Sequence, residues 1–266
     1  MSDHKVYDYP PIAMVAVEVR HAGQDPLSSD ELSAIRHRLR KEWPVQLSGQ
    51  DIVLEVAGAN PSTAIVEYQR FVTKDRRTAI VIRPGATTVE TVDYKGWDDL
   101  RSTLEAALEA RSEISEPSGY ERVGLRYINE LRTPFAEDSN WAEWVHPSLL
   151  AAQPDEAIGL SVSDWQGMSK FGPIDGCTFV LRFGPRTGYA VTPDGPLKRQ
   201  STPTGPFFLL DFDSFWEIPS SDDSPEFASS ALLKRCDDLH KPIRAMFEGL
   251  ITDRLREDVL DGQSEL

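Results

Sequence analysis

Along IAMVAVEVR, residues 12–20, apolar side chains fall on every second position. Ala13, Val15, Val17 and Val19 share one side of an extended chain, while Met14, Ala16, Glu18 and Arg20 share the other, which predicts a strand buried on one face. The period then lengthens. Ser28 or Ser29 stands where an N-cap belongs before DELSAIRHRLRKEW, Leu32, Ile35 and Leu39 recur at helical spacing, and Pro44 stops the helix. DIVLEVA is a short strand. VEYQRFVTKDRRTAIVIRPGATTVETVDY supplies two or three more, with turns at 74–77 and at Pro84-Gly85. In GWDDLRSTLEAALEARSEI, Leu100, Leu104, Ala107, Leu108 and Arg111 form one helical stripe, expected to pack on the sheet. Pro117-Ser118-Gly119 breaks this helix, and YERVGLRYINELR returns as a strand.

A connection over 133–140 leads to WAEWVHPSLLAAQP, a short helix in two pieces. Strands are expected at AIGLSVSDWQGMSKF, CTFVLRFGP, GYAVTP and FFLLDFDSFWEI, followed by a polar loop over 219–225. The last element is a long helix from SPEFASS to REDVL that Pro242 should kink or split, and the final GQSEL should fray. Together these predict an α+β fold: an antiparallel sheet holding residues near 12–20, 67–83, 121–131, 177–184 and 207–217, layered against helices. Residues 1–133 form a half close to a split β-α-β unit. Residues 134–266 form a second half of similar type, ending in the long helix.

The 266 residues are enough to bury a core without metal or disulfide staples. No apolar run approaches ~18 residues, so no membrane span is expected. The start, MSDHKVYDYPP, lacks the basic and apolar stretches of a secretory signal, and two cysteines are expected as reduced thiols, which points to the cytoplasm. Forty-three acidic against twenty-eight basic residues give a net charge of −15, a field that repels nucleic acid. The densest basic run, Arg36, His37, Arg38, Arg40 and Lys41, spreads over several faces of a helix between Glu31 and Glu42. It reads as a solvated face, with a nucleic-acid dock as the alternative. The acids gathered near the C-terminus suit a basic protein partner.

Three segments carry a resemblance. PPIAMVAVEVR near the start, YERVGLRYINEL at the centre and FFLLDFDSFWE with LLKRCDDLHKPIRAMFEGLITDRLRE at the end resemble, in order and spacing, a sporadically distributed bacterial protein family without an assigned activity. The resemblance spans nearly the whole chain, and the centre and the last helix are its specific parts. It implies a cytoplasmic bacterial protein. The patchy distribution suggests a regulatory or interaction component of a mobile-element, toxin–antitoxin or phage-defence system, with a protein partner encoded nearby. It supplies no catalytic residues.

The chemically unusual positions are charges inside strands. In ERVGLRYIN, Arg122, Gly124 and Arg126 oppose Val123, Leu125 and Tyr127; in FFLLDFDSFW, Leu209, Asp211 and Asp213 oppose Phe208, Leu210 and Phe212. Arg182, Glu18 and Arg20 alternate in the same way. In one sheet these charges would meet at strand spacing, as a salt-bridge ladder. The functional reading is a polar cleft in which Arg122 and Arg126 hold an anionic ligand while Asp211 and Asp213 orient it or offer two carboxylates on one face to a metal such as Mg²⁺, in a binding protein or hydrolase. Other candidates are weaker. Asp237 and His240 share a helix face, His4, His21, His37 and His146 lack metal spacing, and Cys177 has no visible activator. The phosphate loops G-x-G-x-x-G and G-x-x-x-x-G-K are absent. Trp141, Trp144, Trp165 and Trp216 read as core aromatics. No catalytic residue, metal site or cofactor is assigned from the sequence.

Overall fold

The computed structural model describes residues 7–21, 26–57, 60–133, 140–151, 162, 164–200, 202–219 and 222–262. The strands are β1 (Ile12–His21), β2 (Val45–Ala57), β3 (Asn60–Val72), β4 (Thr78–Arg83), β5 (Ala86–Thr91), β6 (Tyr120–Leu131), β7 (Gly167–Ile174), β8 (Cys177–Gly188) and β9 (Gly205–Glu217). They form one antiparallel sheet in the order β2-β3-β4-β5-β1-β6-β9-β8-β7. Helices α1 (Ser29–Leu39), α2 (Trp97–Ser115) and α3 (Ser229–Leu250) share one core with one face of that sheet, so the fold is α+β as the pattern predicts.

Alternation decides which face is covered. Phe71, Ile80, Val89, Val17 and Leu125 pair in register across β3, β4, β5, β1 and β6, and every one is fully buried under the helices. Their neighbours in sequence, such as Glu90, Glu18 and Arg126, point to the opposite side. Ser28 rather than Ser29 caps α1: its hydroxyl accepts from the Glu31 amide while the Glu31 carboxylate accepts from the Ser28 amide. The α2 stripe of Leu100, Leu104, Ala107 and Leu108 is buried, and Arg111 at its end is buried with it, where desolvation holds the guanidinium below its usual pKa.

β6, the last strand of the 1–133 half, lies between β1 and β9, so the two halves share a single sheet. β5 flanks β1 and leads into α2; β9 flanks β6 and leads into α3; the two helices touch on the covered face. This arrangement brings the start of α2 beside the second half of α3.

Three expectations change. GYAVTP is not a strand: residues 189–200 leave the sheet and fold back over its uncovered face as a strap. Leu197 packs there on Val72, Ala79 and Val81, and the Lys198 amide donates to the Arg76 carbonyl at 2.7 Å. Its amides are met by a buried carboxylate, described below, rather than by a neighbouring strand. The long helix expected to reach REDVL ends at Leu250, where Ile251 and Thr252 turn extended before a separate short helical segment over 253–260; Pro242 does not split α3, for the proline sits on the exposed side while Leu239 and Ile243 stay buried. DIVLEVA is the far end of a thirteen-residue strand that starts right after Pro44. The front of the strand expected over 157–171 (157–161 and 163) and the expected fraying at 263–266 lie outside the described residues, and β7 begins at Gly167.

Candidate functional site

The strand charges singled out from the sequence do come together, on the sheet face opposite the helices. Arg126 stands directly across from Asp213, yet its guanidinium reaches two pairs along to Asp211, donating from Nε and Nη2 at 2.8 Å each. Arg182, across from Asp211 on β8, places Nη1 3.5 Å from the same carboxylate. Arg122 lies 3.7 Å from Asp213, 3.3 Å from Glu217 and 3.4 Å from Glu18, with its guanidinium over the Phe215 ring. Gly124 makes this possible, since a Cβ there would sit 2.5 Å from Arg122 Nη1. The hydrogen bonds to Asp211 raise the Arg126 pKa, while burial raises that of Asp213 against the pull of Arg122 and Arg126. Positive and negative charges alternate and neutralise one another: the geometry of a cross-strand ladder. Asp211 gives both oxygens to Arg126, so Asp211 and Asp213 do not jointly face a cation. Among the described residues no group of three His, Cys, Asp or Glu side chains converges.

At the other end of the same face, Glu130 anchors the strap. Its side chain is fully buried; Oε1 accepts from the amides of Ala190 and Val191 and from Arg199, and Oε2 accepts from Arg132. Burial pushes this carboxyl up, but the hydrogen bonds from Arg199 and Arg132 outweigh it and hold the group below the ordinary carboxylate value. Sequence reasoning passed over Glu130, although it continues the 122, 124, 126 alternation.

The concave site is on the covered face. A cavity of about 570 Å³ opens between the start of α2 and the second half of α3. Its floor is Tyr127 and Asn129 of β6 with Phe212 of β9. His240, Ile243, Arg244, Phe247 and Glu248 of α3 form one wall, and Tyr94 to Asp99 form the other. Tyr7, Pro10 and Pro11 close the rim. Arg122, Arg126, Asp211 and Asp213 take no part in it. The size falls in the usual range for small-molecule pockets, roughly 300–1,000 Å³, and the walls are largely aromatic and apolar.

Most polar groups of the lining hold one another. The Trp97 ring stacks on His240, centroids 4.4 Å apart and 7° from parallel. Asp237, one turn before His240 on α3, accepts from Trp97 Nε1 at 2.8 Å and from Arg101 at 3.2 Å. The Asn129 amide donates to the Leu210 carbonyl. The Tyr127 hydroxyl donates to that of Tyr94 at 3.0 Å. Burial, helped by Tyr94, pushes the Tyr127 pKa well up; burial also raises Tyr94, against the hydrogen bond from Tyr127 and the charge of Arg244. Tyr7 donates to Glu248, which also accepts from Arg256, and burial with Glu248 pushes the Tyr7 phenol up to about 12.

Besides the exposed carboxylates of Asp98 and Asp99 at its mouth, two features are left open toward the cavity. Arg244 has no hydrogen bond or ion pair among the described residues. The start of α2 has no side-chain cap: Gly96 holds the N-cap position at φ 135°, a conformation that favours glycine, and leaves the first helical amides bare. The signal for the α3 wall was in the sequence, because residues 240, 243, 244, 247 and 248 fall on one helical face.

The remaining candidates resolve simply. A wider groove near Trp43 and the 73–78 turn is polar, and its groups pair internally, Thr73 with Asp75 and Lys95 with Asp93. Within the basic run, Arg38 bridges to Glu109 and Glu113 of α2. Cys236 is buried, and desolvation pushes its thiol up to about 12; Cys177 is a half-buried thiol at the start of β8. Trp141, Trp144 and Trp216 are core residues. No family model matches the chain, and no curated protein matches it at a significant level.

Proposed function

We propose that this protein is a non-enzymatic regulatory or interaction component that binds a small organic molecule in the cavity between α2 and α3. The cavity carries the reading: it is concave, largely apolar, and built from segments of both halves of the fold. The pKa shifts favour binding over catalysis. Tyr7, Tyr94 and Tyr127 are all held above the ordinary phenol value, so they stay neutral donors and acceptors at physiological pH, far from the near-neutral poise of a general base. The ligand is placed here rather than on the strand face because Arg122, Arg126, Asp211 and Asp213 already satisfy one another.

No helix among the described residues is long and apolar enough to cross a membrane. With the resemblance to the sporadic bacterial family, this supports a cytoplasmic component of a mobile-element, toxin–antitoxin or phage-defence system. β7 supports the interaction part, for it is an edge strand with Met168, Phe171 and Ile174 exposed. A pull-down in the presence of the neighbouring gene products should recover a partner, and recovery of none would remove that part.

Ligand-observed NMR with a library of aromatic fragments tests the cavity. Fragments should bind the wild type and be lost from Phe247→Trp and Ile12→Trp, which fill the cavity from half-buried positions. Binding that is absent, or unchanged in both folded variants, would overturn the reading.

A further inference from the structure

The cavity reading leaves the chemistry of the occupant open, and the balance of charge around the lining narrows it. Lys95, Asp98 and Asp99 are exposed at the mouth, where water screens them. Glu248 and Arg244 are the half-buried charges of the wall. Glu248 is held by Tyr7 and Arg256, so its charge is already met. Arg244 has no such partner among the described residues, and a half-buried guanidinium without a counter-charge presents a fork that suits a carboxylate.

Tyr94 adds a directed donor. Its oxygen accepts the Tyr127 proton, which leaves its own hydrogen free to point at a ligand. Arg244 and Tyr94 both line the cavity, and the charge of Arg244 acts on this hydroxyl ahead of the opposing charge of Asp98. The uncapped start of α2 contributes positive potential to the same wall. Around them lie broad ring faces: the Trp97–His240 stack, Tyr127, Phe212 and Phe247.

Resting on the cavity reading, we infer that the ligand is an organic anion with a planar, largely apolar body, its carboxylate-type group held by Arg244 and the Tyr94 hydroxyl. The aromatic lining would also suit an organic cation. Arg244 opposes that occupant, and the experiment sets the two against each other.

Three probes share one ring system: naphthalene-1-acetate, its neutral amide, and the corresponding naphthylethylammonium. Affinities are measured by ligand-observed NMR on the full chain, on Arg244→Gln, on Tyr94→Phe and on Phe247→Trp, with a thermal melt confirming that each is folded. We expect the carboxylate to bind tightest. Arg244→Gln should weaken it by about tenfold or more, the scale of one charge-assisted hydrogen bond, while the amide changes by less than about twofold. Tyr94→Phe should weaken both probes by a few fold. If the amide or the ammonium binds as well as the carboxylate, or Arg244→Gln affects all three alike, the anion inference falls while the cavity reading stands, provided Phe247→Trp still blocks them. If no probe binds, or none responds to Phe247→Trp, both fall.

Discussion

Strand β6 sends Arg122, Arg126 and Glu130 to one side of the sheet and Tyr127 and Asn129 to the other, and the two sides treat polar groups in opposite ways. On the uncovered side, Asp211 takes Arg126 and approaches Arg182, Arg122 is ringed by Glu18, Asp213 and Glu217, and Glu130 gathers two arginines and two amides. On the helix side, the hydrogen bonds of the cavity stop short of Arg244 and of the bare start of α2. A concentration of charge marks a ligand site only where the protein leaves part of it unmet. The ladder is denser in charge, but the cavity has the open valence.

The sharpest way to break this comparison is at Glu130. Glu130→Ala strips a fully buried carboxylate from Arg132, Arg199 and the strap amides, and should cost ~3–5 kcal/mol. Hydrogen exchange should then rise over 190–199. A loss below ~1 kcal/mol, near the centre of ordinary point mutations, would show that the strap is held otherwise. The carboxyl lies below its ordinary pKa in the fold, so its stabilisation is complete above the ordinary carboxylate range and is lost as pH falls through the lowered folded value. Glu130→Gln should therefore flatten the acid limb of a stability–pH profile measured by urea unfolding. Identical acid limbs in the two proteins would contradict the assignment.

The ladder itself comes next. Arg126 is 46% exposed while Asp211 is 4% exposed. Removal of Arg126 should thus cost ~1–3 kcal/mol rather than the full penalty of a buried pair. Asp211→Ala should cost a similar amount, and the double variant less than the sum, because each single change removes the same contact. Additive losses would dissolve the ladder as a unit.

Asp213→Asn should change stability by less than ~1 kcal/mol at neutral pH. Burial raises this carboxyl in the fold, so its contribution is greatest at low pH and declines as pH rises through the raised value; the neutral amide removes that decline. A large loss at neutral pH would give Asp213 the weight assigned to Asp211. The smallest stability effect should be at Arg244: Arg244→Gln should stay within ~0.5 kcal/mol by thermal melt. A larger loss would mean that Arg244 belongs to the fold and the two sides of β6 are alike.

Side membership was legible residue by residue. The two-residue period of a strand assigned Arg122 and Arg126 to one face and Tyr127 to the other, and the 3.6-residue period of a helix buried Leu100, Leu104 and Leu108 together. Those periods are local backbone geometry, so a short stretch of chain specifies them whatever lies elsewhere. The meeting of Arg126 with Asp211 across 85 residues required the strand order, which brings β6 beside β9. The strap was misread because GYAVTP has the composition of a strand, while its amides are taken by Glu130 some sixty positions earlier. The cavity was hidden for the same reason. Its walls come from residues 94–99, 127–129 and 240–248, each of which reads alone as ordinary turn, strand and helix. Only the packing of α3 against the start of α2 leaves Arg244 lining a concave space, because the register of distant segments depends on long-range burial that no local pattern encodes.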